Sequence, residues 1–305
     1  FDTYCLWNYP GTGSSRYWNP SIMQDGQLLQ TTSKDYGPDI FSDFIVEFIE
    51  QNKTKPFFAY YPMALVHSPF PKTPDNVSSG EKTAKGKGKS LSNFKDMTLY
   101  ADKIIGKIVS CLEKNDLREK TVIIFTTDNG THRNLTYPYK GESRTGEKAY
   151  PTDGGTHVPL IINCPGTVPQ GIICNDLVDF SDFLPTITEI TRANLPNIQL
   201  DGQSFWPQCL GNKGNPRKWI FQYYYPKYSP AAKLNGQGIN GMEIIWAQNQ
   251  FYKLYQNGKL YSTKDRHEQH HIKAGENNHA DRIRELLQTA IDSMPKKAVK
   301  LDVKK

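Results

Sequence analysis

The residues that most clearly suggest a chemical role are Asp128, Asn129 and Gly130, which directly follow the apolar run TVIIFTT. In α/β sheets, ligands gather beyond the carboxyl ends of strands, and a carboxylate beside an amide supplies the hard oxygen ligands that Ca²⁺ or Mg²⁺ prefers. The same residues also make an ordinary Asp-Asn-Gly turn. The motif by itself leaves a metal site and a plain turn equally open.

Two further polar residues are predicted at the same sheet edge. His67 follows PFFAYYPMALV, whose length and apolar content are typical of a buried strand, and Lys148 lies in the long segment after Asp128. A metal corner with a lysine and a histidine suits an anionic substrate, because the cations stabilise negative charge and the histidine can transfer a proton. Taken singly, a packed loop histidine and a solvated lysine are the commoner interpretations. We predict that His67, Asp128, Asn129 and Lys148 converge on one pocket.

Helices and strands of an α/β sheet are predicted around these residues. Apolar residues recur at helical spacing in PDIFSDFIVEFIEQN and in FKDMTLYADKIIGKIVSCLEKN. The strand TVIIFTT is expected to be central, and VPLIIN is expected to run antiparallel to it in a mixed sheet. Between Asp128 and His157 no helix or strand is predicted. Long loops of this kind are either functional or a sign that an element has been missed, and we favour the functional interpretation.

The last third of the chain has a different pattern. DLVDFSDFLPTITEIT predicts a helix with a boundary or kink at Pro185, and a domain boundary is predicted near residues 212–217. Short aromatic runs follow, with a hairpin turn at Asn257-Gly258 and a final amphipathic helix. We therefore predict two domains, 1–214 and 215–305, the second a small antiparallel sheet with one helix.

The charge pattern and the hydropathy restrict the class of protein. The net charge of +6 comes from two lysine clusters, one at Lys82, Lys85, Lys87 and Lys89 and one at Lys296, Lys297, Lys300, Lys304 and Lys305. The first cluster is either a solvated loop or a patch for polyanions. No apolar run reaches about 18 residues, so no membrane span is predicted. No nucleic-acid partner is predicted either, and the oligomeric state stays open.

The five cysteines show no metal-ligand spacing. Scattered buried thiols are one interpretation. A hairpin disulfide between Cys164 and Cys174, which flank a turn-rich stretch, is the other and would fit an exported protein.

Taken together, the segments resemble the sulfatases of the alkaline-phosphatase superfamily. The resemblance rests on PFFAYYPMALVHSPF, IFTTDNGT, GEKAYPTDGGTHVPLIINCPG, LVDFSDFLPTITEI with LDGQSF, and FYKLYQNGKLYSTKDRHEQHHI, in family order and over nearly the whole chain. It implies an α/β fold with a mixed central sheet flanked by helices, lacking its N-terminal part, and a small C-terminal α+β subdomain.

The resemblance also implies roles for individual residues. Asp128 and Asn129 would coordinate a divalent cation, usually Ca²⁺ with Mg²⁺ as the other choice, and Asp128 would help to deprotonate the nucleophile. His67 and Lys148 would hold the sulfate and its bridging oxygen. His157 replaces the arginine of the family's Gly-Gly-x-Arg-Val-Pro segment. His157 and His132, beside the metal turn, are candidate substrate contacts.

One part of the family pattern is missing. No cysteine or serine has the context Cys/Ser-x-Pro/Ala-x-Arg, in which the family's nucleophile is oxidised to formylglycine. We therefore expect the motif upstream of Phe1, and an isolated chain that is inactive. The expected substrate is a sulfated carbohydrate or aryl sulfate, and the expected location is periplasmic, extracellular or lysosomal. A phosphodiesterase or phosphonate hydrolase of the superfamily and a non-catalytic sulfated-glycan-binding module are the alternatives.

Overall fold

A computed structural model describes residues 1–8, 11, 13–77, 91–226, 233–234 and 237–294. Both lysine clusters lie outside these ranges. The chain divides into two units, Phe1–Thr121 with Cys164–Gly166 and Val122–Asn163 with Thr167–Lys305. The domain boundary predicted near residue 214 stays a prediction.

The first unit has two long helices and a small sheet. Strands β1 (Cys5–Trp7), β2 (Ile22–Gln24) and β3 (Gln27–Leu28) pair antiparallel in that order. Helix α1 (Gly37–Asn52) has Pro38 in its first turn, where its missing N–H costs nothing, and it packs on α2 (Asn93–Lys114). Both helices were predicted from the helical spacing of apolar residues, and the structure confirms them.

The strand predicted before His67 is wrong for the described residues. Residues 56–64 form no ladder, and Phe58 and Tyr60 are 54% and 65% exposed. A strand requires a hydrogen-bonded neighbour as well as an apolar sequence, and no described strand pairs with this segment. The apolar sequence of the segment was therefore not sufficient to predict that it pairs as a strand.

The second unit opens on the strand before the Asp-Asn-Gly turn. After β4 (Ile123–Thr126) come a hairpin of β5 (Thr136–Tyr139) and β6 (Glu142–Thr145) and a one-turn helix α3 (Asp153–Thr156). The structureless loop predicted here is wrong. The hairpin turn is Lys140-Gly141, with φ of 49° and 83°, a two-residue signal that was present in the sequence.

Strand β7 (Leu160–Asn163) pairs antiparallel with β4, as predicted, with Thr126 opposite Leu160. Within the described ranges β7 is the one neighbour of β4, so the expected central position is wrong there. Every described ladder is antiparallel, and no parallel pair of a mixed sheet occurs among these strands. The α/β class itself is confirmed.

A second helical segment follows. A 3₁₀ turn (Phe180–Asp182) leads into α4 (Phe183–Thr191), and α5 (Trp206–Cys209) is a single turn. Pro185 lies in the first turn of α4, so the boundary predicted there is confirmed. Asp182 is 1% exposed and forms an ion pair with Arg217, whose Nε donates to its Oδ2 at 2.7 Å.

The C-terminal part confirms the predicted antiparallel sheet with one helix. Its five strands are β8 (Ile220–Tyr224), β11 (Ile244–Gln248), β12 (Tyr252–Tyr255), β13 (Leu260–Ser262) and β14 (His271–Ile272), and a two-stranded pair of β9 (Lys233–Leu234) and β10 (Gln237–Gly238) lies between β8 and β11 in sequence. Helix α6 (Asn278–Ser293) packs its buried Leu287 on this sheet. We call β8 and β11–β14 with α6 the C-terminal sheet.

Two further expectations can be compared with the structure. All five cysteines are free thiols, so the hairpin disulfide is excluded, and the Cys164 thiol instead donates to the Glu119 carbonyl at 3.3 Å. In the part of the chain that the structure describes, no helix is long and apolar enough to cross a bilayer.

Candidate active site

The Asp-Asn-Gly turn is packed tightly, backbone against backbone. The Gly130 N–H donates to the Gly155 carbonyl at 3.0 Å, and a Cβ on Gly130 would lie 1.9 Å from the Gly154 oxygen. Only a residue without a side chain permits this approach. The contact holds the turn in place with Asp128 exposed and Asn129 half-buried.

Lys148 is brought to the same turn. Its N–H donates to the Thr131 carbonyl at 3.0 Å, and its side chain is half-buried. Gly146 permits the approach, because a Cβ there would lie 2.3 Å from the Thr131 oxygen. The backbone thus joins the segment of Lys148 to the segment that carries Asp128 and Asn129, residues that are distant in sequence.

A buried carboxylate fixes the segment around Lys148. Glu147 is 5% exposed, and its Oε1 lies 3.3 Å from Nε of Arg266, which follows β13. The guanidinium also donates to the Thr145 carbonyl at 3.0 Å, and the Thr152 hydroxyl donates to Glu147 Oε2. We call Glu147, Arg266 and Thr152 the carboxylate clamp.

A buried lysine provides a second attachment to the C-terminal sheet. Lys253 in β12 donates to the Pro151 carbonyl and to Glu268 Oε1, the latter at 2.8 Å, while Tyr255 donates to Glu268 Oε2 at 2.6 Å. Its ammonium lies 4.4 Å from the Trp246 ring centroid. Burial lowers the pKa of Lys253, and the Glu268 carboxylate opposes that shift.

The two candidate substrate histidines differ in their surroundings. His157 ends α3 with its side chain 74% exposed, and its Nδ1 lies 3.2 Å from Asp153 Oδ1. The hydrogen bond to Asp153 raises the pKa of His157, although burial opposes it. The pKa of Asp153 is lowered: burial acts against the shift, but the bond to His157 and nearby cations outweigh it. His132 is half-buried, and its Nδ1 accepts from the Asn134 N–H at 3.3 Å.

His67 belongs to the first unit, whereas Asp128, Asn129 and Lys148 belong to the second. The convergence of these four residues on one pocket therefore stays a prediction. The His67 side chain is exposed, and its Nδ1 is hydrogen-bonded to the Ser68 carbonyl. A carbonyl only accepts, so Nδ1 carries the proton and Nε2 of the neutral ring carries the lone pair.

The donor atoms at the turn suit a hard cation in kind but not in number. Asp128 and Asn129 offer carboxylate and amide oxygens, whereas Ca²⁺ takes about 6–8 oxygen ligands. Among the described residues, no group of three or more His, Cys, Asp or Glu side chains could hold a metal ion. The turn can therefore supply only part of a coordination shell.

Sequence reasoning did not identify Glu147, Arg266, Lys253 and Glu268. One signal was available for Lys253, since a lysine inside the aromatic strand FYKLY requires a buried partner or an exposed edge. The partners come from a distant segment, which no local pattern identifies.

Comparison with known proteins assigns the class. The sulfatase family profile matches residues 1–193, and the profile described as N-sulphoglucosamine sulphohydrolase, C-terminal, matches residues 141–297. The chain belongs to the sulfatase family. The resemblance noted in the sequence is therefore confirmed.

Particular relatives give the extent of the match. Human arylsulfatase A is 33% identical over 180 residues, 58% of this chain and 33% of the relative. The sulfatase YdeN of Escherichia coli K12 is 27% identical over 223 residues, 70% of this chain and 39% of the relative. The chain thus spans about a third of the length of these curated relatives.

Solved structures show the same fold. Ps i-CgsB matches with a TM-score of 0.68 and 24% identity, covering 90% of this chain and 58% of that one. BT4656, solved in complex with its substrate D-glucosamine-2-N,6-O-disulfate, matches with a TM-score of 0.68 and 16% identity, covering 96% and 75%. The fold is alkaline-phosphatase-like.

Proposed function

We propose that the complete protein is a sulfuric ester hydrolase, acting on sulfate esters of carbohydrate or aryl alcohols at a site that includes His67, Asp128, Asn129 and Lys148. Membership of the sulfatase family carries the proposal. The tight packing of the Asp-Asn-Gly turn on Gly155, and the hydrogen bond between Lys148 and Thr131, support a common site for Asp128, Asn129 and Lys148.

Each residue has a role that fits its chemistry. Asp128 and Asn129 would hold a divalent cation, Ca²⁺ or Mg²⁺, which when bound neutralises charge on the sulfate oxygens. The Lys148 ammonium would stabilise the charge that develops on the bridging oxygen as the alcohol departs. His67, with its Nδ1–H held by the Ser68 carbonyl, would in its protonated form donate from Nε2–H to the sulfate and pass that proton to the departing alcohol.

The nucleophile is proposed to lie in an upstream segment as a formylglycine. The isolated chain would then be inactive, because its charged groups can stabilise a transition state but none can attack sulfur. Of the two proposed substrate classes we favour sulfated carbohydrate, because BT4656 was solved with a sulfated glucosamine as its substrate. We also propose export to the periplasm, the cell exterior or the lysosome, as the family resemblance implies.

The test compares the chain with a protein extended upstream through the Cys/Ser-x-Pro/Ala-x-Arg motif, made with a formylglycine-generating enzyme and Ca²⁺. We expect the extended protein to hydrolyse an aryl sulfate and the 305-residue chain to be inactive. Asp128→Asn and Lys148→Ala should each lower kcat/KM by about 10²-fold or more. The matched controls Asp292→Asn and Lys264→Ala change exposed residues and should leave it within about twofold.

Three outcomes would overturn the proposal. If the chain alone matches the extended protein, and Asp128→Asn abolishes that rate, a nucleophile exists within these 305 residues. Faster turnover of an aryl phosphodiester than of the aryl sulfate favours the phosphodiesterase alternative. Binding of sulfated glycans by an extended protein without turnover favours the binding module.

A further inference from the structure

A small cleft lies in the first unit, apart from the residues discussed so far. Its volume is about 260 Å³, and it is lined by Trp7, Asn8, Gly13, Ser14, Ser15, Arg16 and Pro69. The lining combines an aromatic ring, a guanidinium, an amide and two hydroxyl groups. The guanidinium can bind an anionic group, and the amide and hydroxyl groups can hydrogen-bond polar substituents beside it. We call it the Arg16 cleft.

Among the described residues that line the cleft, Arg16 is the only ionisable one. Its guanidinium carbon lies 4.6 Å from the Trp7 ring centroid, and the Trp7 indole donates to the Ser15 carbonyl at 3.0 Å. No described carboxylate forms an ion pair with Arg16. A guanidinium held by an aromatic ring keeps its planar donor fork, which matches the oxygens of a carboxylate or sulfate.

The backbone around Arg16 is fixed before any ligand binds. The Gly37 N–H donates to the Tyr17 carbonyl at 2.6 Å, and a Cβ on Gly37 would lie 2.4 Å from the Arg16 oxygen. Two side-chain bonds fix the rest: Ser21 N–H to Ser14 Oγ at 2.9 Å and Gly13 N–H to Asn8 Oδ1 at 2.7 Å. Preorganisation of this kind reduces the entropic cost of binding.

The cleft adjoins the loop of His67. The hydroxyl of Tyr17, the residue after Arg16, donates to the Ala64 carbonyl at 2.9 Å and also to the His67 carbonyl. Pro69, two residues after His67, lines the cleft itself. The Arg16 cleft and the loop that carries His67 are therefore neighbours within the first unit.

We propose that the Arg16 cleft binds a second anionic substituent, a sulfate or a carboxylate, on a saccharide whose scissile sulfate lies at His67. The proposal rests on the proposed function and narrows it, because it favours doubly anionic saccharides over simple aryl sulfates. Arg16 is a specificity residue and takes no part in the attack on sulfur.

The test measures binding to the purified chain by calorimetry with three probes: D-glucosamine-2-N,6-O-disulfate, D-glucosamine 6-sulfate and a 6-sulfated disaccharide with a uronate. Arg16→Gln should raise the Kd of the disulfate by about tenfold or more and the Kd of the monosulfate by less than about twofold. Lys34→Gln removes the same charge from an exposed residue of the first unit, and it should leave the ratio of the two Kd values unchanged. The uronate probe separates a carboxylate ligand from a sulfate ligand.

Several results would overturn the proposal. They are an equal loss for both glucosamine probes, an equal effect of Lys34→Gln, and no binding of either doubly anionic probe at millimolar concentration. Arg16→Lys keeps the charge but loses the fork, so it should recover only part of the affinity. Circular dichroism checks that each variant is folded, and Trp7→Phe, which keeps a ring under Arg16, should retain most of the selectivity.

The failure of this proposal is distinguishable from that of the proposed function. If the upstream-extended protein hydrolyses aryl sulfate while Arg16→Gln leaves the ratio of kcat/KM for disulfate and monosulfate unchanged, only the Arg16 cleft is refuted. If the extended protein hydrolyses no sulfate ester, the proposed function fails whatever the calorimetry gives.

Discussion

The site loop, residues 128–157, and the C-terminal sheet belong to the same unit but reach their structures differently. The loop has little apolar core, and its shape comes from glycines whose backbones touch other backbones, at Gly130, Gly146 and Gly155. The sheet is built around fully buried apolar side chains such as Leu254, Leu260 and Leu287. Non-directional burial stabilises the sheet, whereas close geometric fit shapes the loop.

The two regions are joined by polar contacts. The carboxylate clamp uses Arg266, and the Pro151 carbonyl accepts from Lys253, so side chains from the C-terminal part hold the loop at two points just before α3. The apolar sheet thus acts as a rigid support for a loop that could not fix its own geometry. Substitutions in the two regions should therefore differ in size and in kind.

The largest effect is expected for Leu254→Ala in β12. Leu254 is 0% exposed, and its truncation should lower the free energy of unfolding by about 2–5 kcal/mol, because a cavity adds to the lost burial. Urea denaturation measures the change. Phe251→Ala, beside the same strand but 56% exposed, is the control and should stay within about 0.5 kcal/mol. Equal losses would refute the core assigned to Leu254.

Gly130→Ala should destabilise the protein by about 1–3 kcal/mol through overpacking, because its Cβ would lie 1.9 Å from the Gly154 oxygen. Gly106→Ala in α2 is the matched control. No heavy atom lies within 4 Å of its added Cβ, so it should stabilise by about 0.5–1 kcal/mol through helix propensity. Thermal unfolding compares the two variants, and a Gly130→Ala protein as stable as wild type would contradict the tight packing.

Glu147→Gln should act mainly on the loop. The change removes the carboxylate that faces Arg266, at an expected cost of about 1–2 kcal/mol, and hydrogen exchange at the Lys148 amide should quicken while the amides of β12 stay protected. Glu142→Gln, an exposed partner of Arg144 at 3.5 Å, should change neither. Uniform faster exchange throughout the second unit would mean that the clamp supports the whole unit rather than the loop.

The smallest effect is expected at the pair of His157 and Asp153. The pKa of His157 is raised from its ordinary 6.5, so its contribution is complete below about pH 6.5 and is lost as pH rises through the folded pKa. The pKa of Asp153 is lowered from 3.8, so its contribution is present above about pH 3.8 and is lost as pH falls through the folded pKa.

The pair should therefore stabilise the protein between about pH 4 and pH 6.5. Because the His157 side chain is 74% exposed, water screens it and the expected contribution is only ~0.3 kcal/mol. His157→Gln should flatten the pH dependence of stability in that window, as measured by urea titrations at several pH values. An unchanged profile would show that the pair contributes nothing to folding.

Much of the fold was determined by the sequence alone. Helices α1, α2 and α6 follow from apolar periodicity, β4 and β7 from short apolar runs, and the C-terminal strands from aromatic runs separated by turns. Asp128 and Asn129 were identified as candidate ligands because they end an apolar strand. These features depend on local pattern, and a local pattern can be recognised in one sequence.

The tertiary structure alone decided three other features. It left residues 56–64 without a described partner strand, since pairing depends on what lies alongside. It selected glycine at position 130 through contact with Gly154, and it joined Glu147 to Arg266 and Pro151 to Lys253 across more than a hundred residues. Such contacts depend on where distant segments meet, and the free energy that fixes them belongs to the packed unit rather than to any one segment.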